Sequence, residues 1–205
     1  MEAIVNSVGE ALMWAKDYVK EIAGPIILTL NSWEDLKEEF EKTTFNNQRF
    51  LQLEIRDWLL NQEDNPGEPW KYDPVRWKPY LNANGKFDYR YPERIGMKLG
   101  VIICELVKNP GTRRAYLSIW DPSEDPIGEC DRMVPCVLGF HFYITGDTLN
   151  LNVVMRSLDV EFCLINDIWL AIHLLEYVGK SLNTGYNFRL TIIASHAHIN
   201  GRRGR

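Results

Sequence analysis

The 205-residue sequence predicts a single α+β domain spanning residues 1–205, with a mostly antiparallel, mixed sheet flanked by helices. Three observations predict it. Strand-like stretches cluster in the second half around a hairpin signal, Thr145-Gly-Asp-Thr148. Apolar residues recur at helical period elsewhere, and no repeat, low-complexity run or linker divides the chain. Hydrophobic residues at 45% and charged residues at 25% exclude a disordered chain, a collagen-like fibre and a coiled coil.

The elements follow in order. Residues 8–22 place Ala11, Leu12, Ala15, Tyr18, Val19 and Ile22 on one helical side, and Gly24-Pro25 stops them. The apolar run Pro25–Leu30 is a strand, and Ser32 reads as the N-cap of a turn rich in acids. A second helix spans Arg49 to Gln62. Between Asn61 and Arg94, Pro66, Gly67, Pro69, Pro74, Pro79, Gly85 and Pro92 predict a long ordered loop. Its aromatics, Trp70, Tyr72, Trp77, Tyr80, Phe87, Tyr89 and Tyr91, are costly to expose together and line a cleft. Lys98–Val107 and Asp167–Val178 are helices; 115–120, 137–145, 149–155 and 187–194 are strands.

Charge and composition narrow the function. A net charge of −5 argues against phosphate-backbone binding, and the basic tail Gly201–Arg205 reads as a frayed end. No nucleic acid and no membrane is expected as a partner. Cysteines at 104, 130, 136 and 163 have no CxxC spacing. No apolar run reaches membrane-spanning length and no signal-peptide layout opens the chain, so a cytoplasmic protein with reduced thiols is expected. His196 and His198 lack a third ligand, so no metal site is expected; His141 and His173 read as core histidines.

Four places carry chemistry. Cys136 enters a strand, where a thiol is a nucleophile if cations lower its pKa and otherwise a small apolar residue. Arg156-Ser157 closes a strand, where a guanidinium and a hydroxyl grip a phosphate. Arg113-Arg114 follow a turn. Asp167 opens an apolar helix, as its N-cap or as a functional carboxylate.

Taken in order, Asn109-Pro-Gly-Thr-Arg-Arg114, Pro135-Cys136, Arg156-Ser-Leu-Asp-Val160, Asn166-Asp167 and His196-Ala-His198 resemble the thymidylate synthase superfamily. The resemblance covers about residues 51–200, and Trp77, Asn84-Gly85 and Tyr91 fall at matching intervals. It implies a homodimer that binds a pyrimidine nucleoside monophosphate and uses 5,10-methylenetetrahydrofolate as co-substrate, without a metal. Cys136 would add to C6 of the base. Arg156 and Ser157, with Arg113 and Arg114 reaching the partner's site, would hold the 5′-phosphate, and His198 the ribose. Asp159, Trp77 and Tyr80 would contact folate, with Cys163 where the family has a glycine. Tyr91 would hydrogen-bond near the thiol. The proton-relay glutamate is matched by Glu54, four residues before Trp58 rather than three, with Asp57 behind it.

Asp167 stands where thymidylate synthases carry an asparagine that reads uracil. A carboxyl group accepts from the cytosine amino group and shares a proton with N3. The run Arg156-Ser-x-Asp-Val-x-Phe-x-x-x-Asn-Asp167 resembles the deoxycytidylate hydroxymethylase branch, which implies conversion of dCMP, or CMP, to its 5-hydroxymethyl product. Two alternatives stand beside it: a thymidylate synthase acting on dUMP, and a nucleotide-binding relative without folate chemistry. Val137 and Asn200 replace a histidine and a tyrosine of the family.

Overall fold

The computed structural model describes residues 1–205 except 22, 43–47, 61–63, 73, 126–131, 184 and 200–205. Cys130 and the arginine-rich tail therefore lie outside the described residues. A βαβ unit opens the chain: β1 (Glu2–Val5), α1 (Val8–Glu21) and β2 (Gly24–Leu30). Helices α2 (Leu36–Glu41) and α3 (Gln48–Leu60) follow. After α4 (Pro74–Trp77), α5 (Tyr91–Ile95) and α6 (Lys98–Lys108) come β3 (Tyr116–Ser118), β4 (Val137–Thr145), β5 (Thr148–Met155) and β6 (Leu158–Asp159). Helix α7 (Leu164–Ser181) and strand β7 (Asn187–His198) complete the described elements.

The strands form one sheet in the order β1-β2-β7-β5-β4-β3, with β6 beside β7. The pairs β2–β7, β3–β4 and β4–β5 are antiparallel, whereas β1–β2, β5–β7 and β6–β7 are parallel. The sheet is thus mixed, as expected, with three antiparallel and three parallel pairs. The reason is two helical crossovers, α1 and α7, each of which returns the chain parallel to a strand it left. One crossover begins in β1, four residues too short to stand out in the sequence.

Alternation along the strands decides what each sheet face carries. Ile26, Leu28, Leu151, Val153, Leu190, Ile192, Phe140 and Phe142 are buried together with Ala11, Ala15 and Val19 of α1 and Ile168, Leu175 and Val178 of α7. Gly179 lets α7 lie close, because a Cβ there would strike the Phe188 ring. The opposite face carries Ile27, Thr29, Thr191, Ile193, Asn152, Val154, His141 and Tyr143 in register across the strands.

Two local expectations change. Asp35, not Ser32, stands at the N-cap of α2, and both its carboxylate oxygens accept the Val8 and Gly9 amide N–H groups at 2.8 Å, capping α1 from across the fold. The stretch read as loop between 61 and 94 holds single helical turns, Pro69–Tyr72, α4, Lys78–Tyr80 and α5. Proline pre-sets the backbone of a first helical turn, so several of the breakers are helix starts. Among the described residues, no helix is long and apolar enough to cross a membrane.

Candidate active site

The β4–β5 hairpin brings Cys136 and Arg156 together, although 20 residues separate them in sequence. The Arg156 amide donates to the Cys136 carbonyl at 2.9 Å, beyond the last paired residues Val137 and Met155. The Arg156 side chain then folds back over the loop that enters β4. Its Nε donates to the Pro135 carbonyl at 2.8 Å and its Nη2 to the Val134 carbonyl at 3.1 Å. That leaves Nη2 at 4.0 Å from Cys136 Sγ. Burial pushes the half-buried Cys136 thiol up, the Arg156 guanidinium pulls it down, and the Asp167 carboxylate pushes it up again.

Asp167 lies inside the first turn of α7. The N-cap position belongs to Cys163, whose carbonyl accepts the Asp167 amide at 2.9 Å. A cap-only role for the Asp167 carboxylate therefore does not fit the backbone. Its charge bears on Cys136, Tyr89 and Tyr91.

Tyr89 and Tyr91 face the same spot. Their rings meet edge-on at 5.7 Å. Burial pushes both phenols up, so each is neutral and able to donate at ordinary pH. Tyr91 packs on Trp58 at 5.1 Å, and Trp58 Nε1 donates to Glu54 Oε1 at 3.0 Å. Glu54 thus connects to the thiol site through Trp58 and Tyr91 rather than by touching it. Asp57 is buried and bridged by Arg56 and Arg90, at 2.9 and 3.2 Å.

The remaining predicted residues fall into three groups. Asp159 and His198 are register partners on β6 and β7. Asp159 Oδ1 accepts the Glu161 and Phe162 amides at 3.0 and 3.1 Å, and Ser157 lies between Arg156 and β6. His198 Nδ1 is buried without a hydrogen-bond partner among the described residues, as is Asn166 Oδ1 beside Asp167. Trp77 sits in an aromatic cluster with Phe50 at 5.3 Å, Tyr80 at 5.7 Å and Phe87 at 6.4 Å. That cluster is tied to the loop before Cys136 by Asp88, whose Oδ2 accepts the Met133 amide at 2.9 Å.

Arg113 and Arg114 are exposed and border a separate cavity of about 310 Å³ with Asn109, Gly111 and Thr112. A second cavity of about 470 Å³, lined by Trp33, Phe40, Trp169 and His173, also lies away from the thiol. Sequence reasoning assigned no site role to Arg90 or Trp58, and none of its own to Tyr89 or Asn166, although it placed Tyr89 among the cleft aromatics and Asn166 in the motif that ends at Asp167.

Residues 35–203 match the family described as thymidylate synthase. The chain is 30% identical over 154 residues to a thymidylate synthase of Haloferax volcanii, covering 73% of this chain and 40% of that protein. It is 34% identical over 136 residues to a thymidylate synthase of Mycoplasma genitalium, covering 64% of this chain and 41% of that protein. The chain therefore spans about 40% of the length of these curated relatives. Its fold resembles the thermostable thymidylate synthase A from Bacillus subtilis, with a TM-score of 0.70 at 12% identity over 95% of this chain and 80% of that one. It also resembles the thymidylate synthase from T4 phage, with a TM-score of 0.66 at 19% identity over 94% of this chain and 76% of that one. At such identities the structural likeness speaks for the fold alone.

Proposed function

The chain belongs to the thymidylate synthase family, and on that premise we propose that it is a C5 one-carbon transferase acting on dCMP or CMP and releasing the 5-hydroxymethyl nucleotide. The observation that carries this reading is the constellation at the hairpin end. Arg156 stands 4.0 Å from the Cys136 thiol, and the Asp167 carboxylate, carried by the first turn of α7, bears on the same thiol.

Each residue then has a task. Cys136 adds as the thiolate to C6, forming the S–C6 bond while the C5=C6 π pair moves between C5 and C4 and the C4=N3 pair moves onto N3. Asp167 accepts from the cytosine amino group and shares its proton with N3, which stabilises the charge that addition creates. Arg156 and Ser157 hold the 5′-phosphate beside the thiol. Methylenetetrahydrofolate supplies, when bound, a carbon at the formaldehyde oxidation level. Tyr91, with Tyr89 behind it, orders the water that receives the C5 proton once C5 has gained that carbon. Loss of that C5 proton would expel the tetrahydrofolate amine from the transferred carbon and leave an exocyclic methylene on the pyrimidine; a second water then adds its oxygen to that carbon and loses a proton, and the returning electron pair expels the Cys136 thiolate. No redox step is needed, which separates hydroxymethylation from methylation. For folate, the half-exposed rings of Trp77 and Tyr80 offer apolar aromatic surface and the Asp159 carboxylate an acceptor, residue types that suit such a ligand.

A homodimer completes the reading. Arg113 and Arg114 are exposed and border a cavity that does not include their own chain's thiol, and the sheet face that carries Ile27, Val154 and Ile193 is open for a second copy. A second reading, methylation of dUMP, is supported by the relatives, both of which are named thymidylate synthases.

The test is release of tritium from C5 of labelled dCMP, CMP and dUMP, with and without methylenetetrahydrofolate. Folate-dependent release from a cytosine nucleotide, with a hydroxymethyl product by mass, is expected. Release from dUMP alone contradicts the cytosine reading. No release from any of the three, with nucleotide still bound, contradicts the transferase reading.

A further inference from the structure

A guanidinium is buried behind the thiol site. Arg90 is 4% exposed and lies between Tyr89 and Tyr91 in sequence. Its Nη2 is 3.2 Å from Asp57 Oδ2 and 3.5 Å from Glu54 Oε2, and its Nη1 donates to the Asp64 carbonyl. Room for it is built into the chain. Gly67 has φ +81°, and a Cβ there would collide with the Arg90 guanidinium. Both carboxylates divide their oxygens. Asp57 gives its other oxygen, Oδ1, to Arg56 at 2.9 Å, so it holds two cations. Glu54 gives its other oxygen, Oε1, to the Trp58 indole at 3.0 Å, so Arg90 is its one cationic partner among the described residues.

We propose that Arg90 is a positioning residue: it supplies the countercharge to Glu54 and fastens α3 to the Tyr89–Tyr91 segment, so that Trp58 and Tyr91 present a fixed edge to the thiol. The geometry gives this one residue two attachments. The side chain holds α3, and the backbone on either side carries the two phenols that face Cys136. The charged and titratable groups around Glu54 are Arg90 from the segment before α5, Asp57 on its own helix, and Tyr91 of α5 across the Trp58 ring. Lys71, from the neighbouring helical turn, is exposed and paired with Glu68 at 3.3 Å. His173 and Glu176 of α7 face Gln52 and Ile55, around α3 from Glu54. Burial pushes Glu54 up and Arg90 pulls it down, so loss of the guanidinium leaves a carboxyl that takes a proton at higher pH.

The test reads Glu54 directly. Protein labelled with ¹³C at the glutamate carboxyl is titrated by NMR, with the Glu54 signal assigned by Glu54→Gln. Arg90→Met is expected to move the Glu54 titration up by about one to three pH units. Arg90→Lys, which keeps a charge but not the fork, is expected to recover part of that shift. If Arg90→Met fails to fold because two buried carboxylates are left, Arg90→Met with Asp57→Asn removes one of them and keeps Glu54 unpartnered. An unmoved Glu54 titration in the folded variant overturns the proposal, and so does an Arg90→Lys protein that recovers none of the shift. The turnover readout rests on the transferase reading: the acid limb of folate-dependent tritium release is expected to move in the same direction as the NMR titration, while nucleotide affinity is unchanged. A wild type that releases no tritium but shows the NMR shift defeats the transferase reading and leaves the role of Arg90 standing.

Discussion

At the residue scale, burial and two charges decide how reactive Cys136 is. Burial holds the thiol protonated, Arg156 favours the thiolate and Asp167 opposes it. The signs give opposite outcomes for two substitutions. Arg156→Met removes the cation, raises the thiol pKa and slows alkylation of Cys136 by iodoacetamide at neutral pH. Asp167→Asn removes the anion, lowers the pKa and speeds it. The rates must be followed on the Cys136 peptide by mass, since Cys104 is exposed and reacts in parallel. If neither rate changes, the thiol is not set by these two groups. The same Asp167→Asn substitution also tests base reading. An asparagine matches uracil and leaves a cytosine amino group poorly served. The preference for dCMP over dUMP is expected to fall by roughly 10- to 100-fold in kcat/KM, equivalent to about 1–3 kcal/mol for an unsatisfied group. Cys136, Arg156 and Asp167 were legible in the sequence through the family resemblance of the motifs that hold them; taken singly, each also had an ordinary structural reading. Arg90 was not legible. An arginine among prolines and tyrosines reads as solvated, and its burial becomes visible only once α3 brings Asp57 and Glu54 to it.

At the element scale, long-range contacts set the helix ends. Asp35 is 27 residues from Val8 in sequence, yet its carboxylate caps α1. Asp35→Ala is expected to cost about 1–2 kcal/mol in denaturant unfolding, near the upper end for a lost cap because two amides lose their acceptor. An unchanged midpoint would mean that water replaces the carboxylate without loss. Gly139 of β4 is a second such position. A Cβ there would meet the Leu117 carbonyl at 2.8 Å and the Tyr116 ring that lies across it. Gly139→Ala is expected to destabilise by about 1–3 kcal/mol, again read by denaturant unfolding. The sequence located α1, β2, α3, α6, β4, β5, α7 and β7 through periodicity. It missed β1, whose four residues include Glu2 and leave too little pattern. It also read helical turns beginning at proline as loop, because proline starts a helix as readily as it stops one.

At the scale of the whole molecule, two crossovers make the sheet evenly mixed and leave one of its faces to α1 and α7. The other face carries Ile27, Val154 and Ile193 in one row across three strands. A lysine in that row would set a charge against its own copy if the face joins two chains. Val154→Lys is expected to convert a dimer to a monomer in sedimentation and to abolish turnover while the fold is kept; a Val154→Lys protein that stays dimeric places the interface elsewhere.

The central claim is that the Cys136 thiolate attacks C6 of a cytosine nucleotide, and one measurement meets it directly. The protein is incubated with 5-fluoro-dCMP and methylenetetrahydrofolate, and its intact mass and peptides are determined. Fluorine at C5 cannot leave as a proton does, so the account predicts a stable covalent complex of protein, nucleotide and folate, carried by the peptide that contains Cys136. No adduct, an adduct on another cysteine, or an adduct formed with 5-fluoro-dUMP but not with 5-fluoro-dCMP would contradict it.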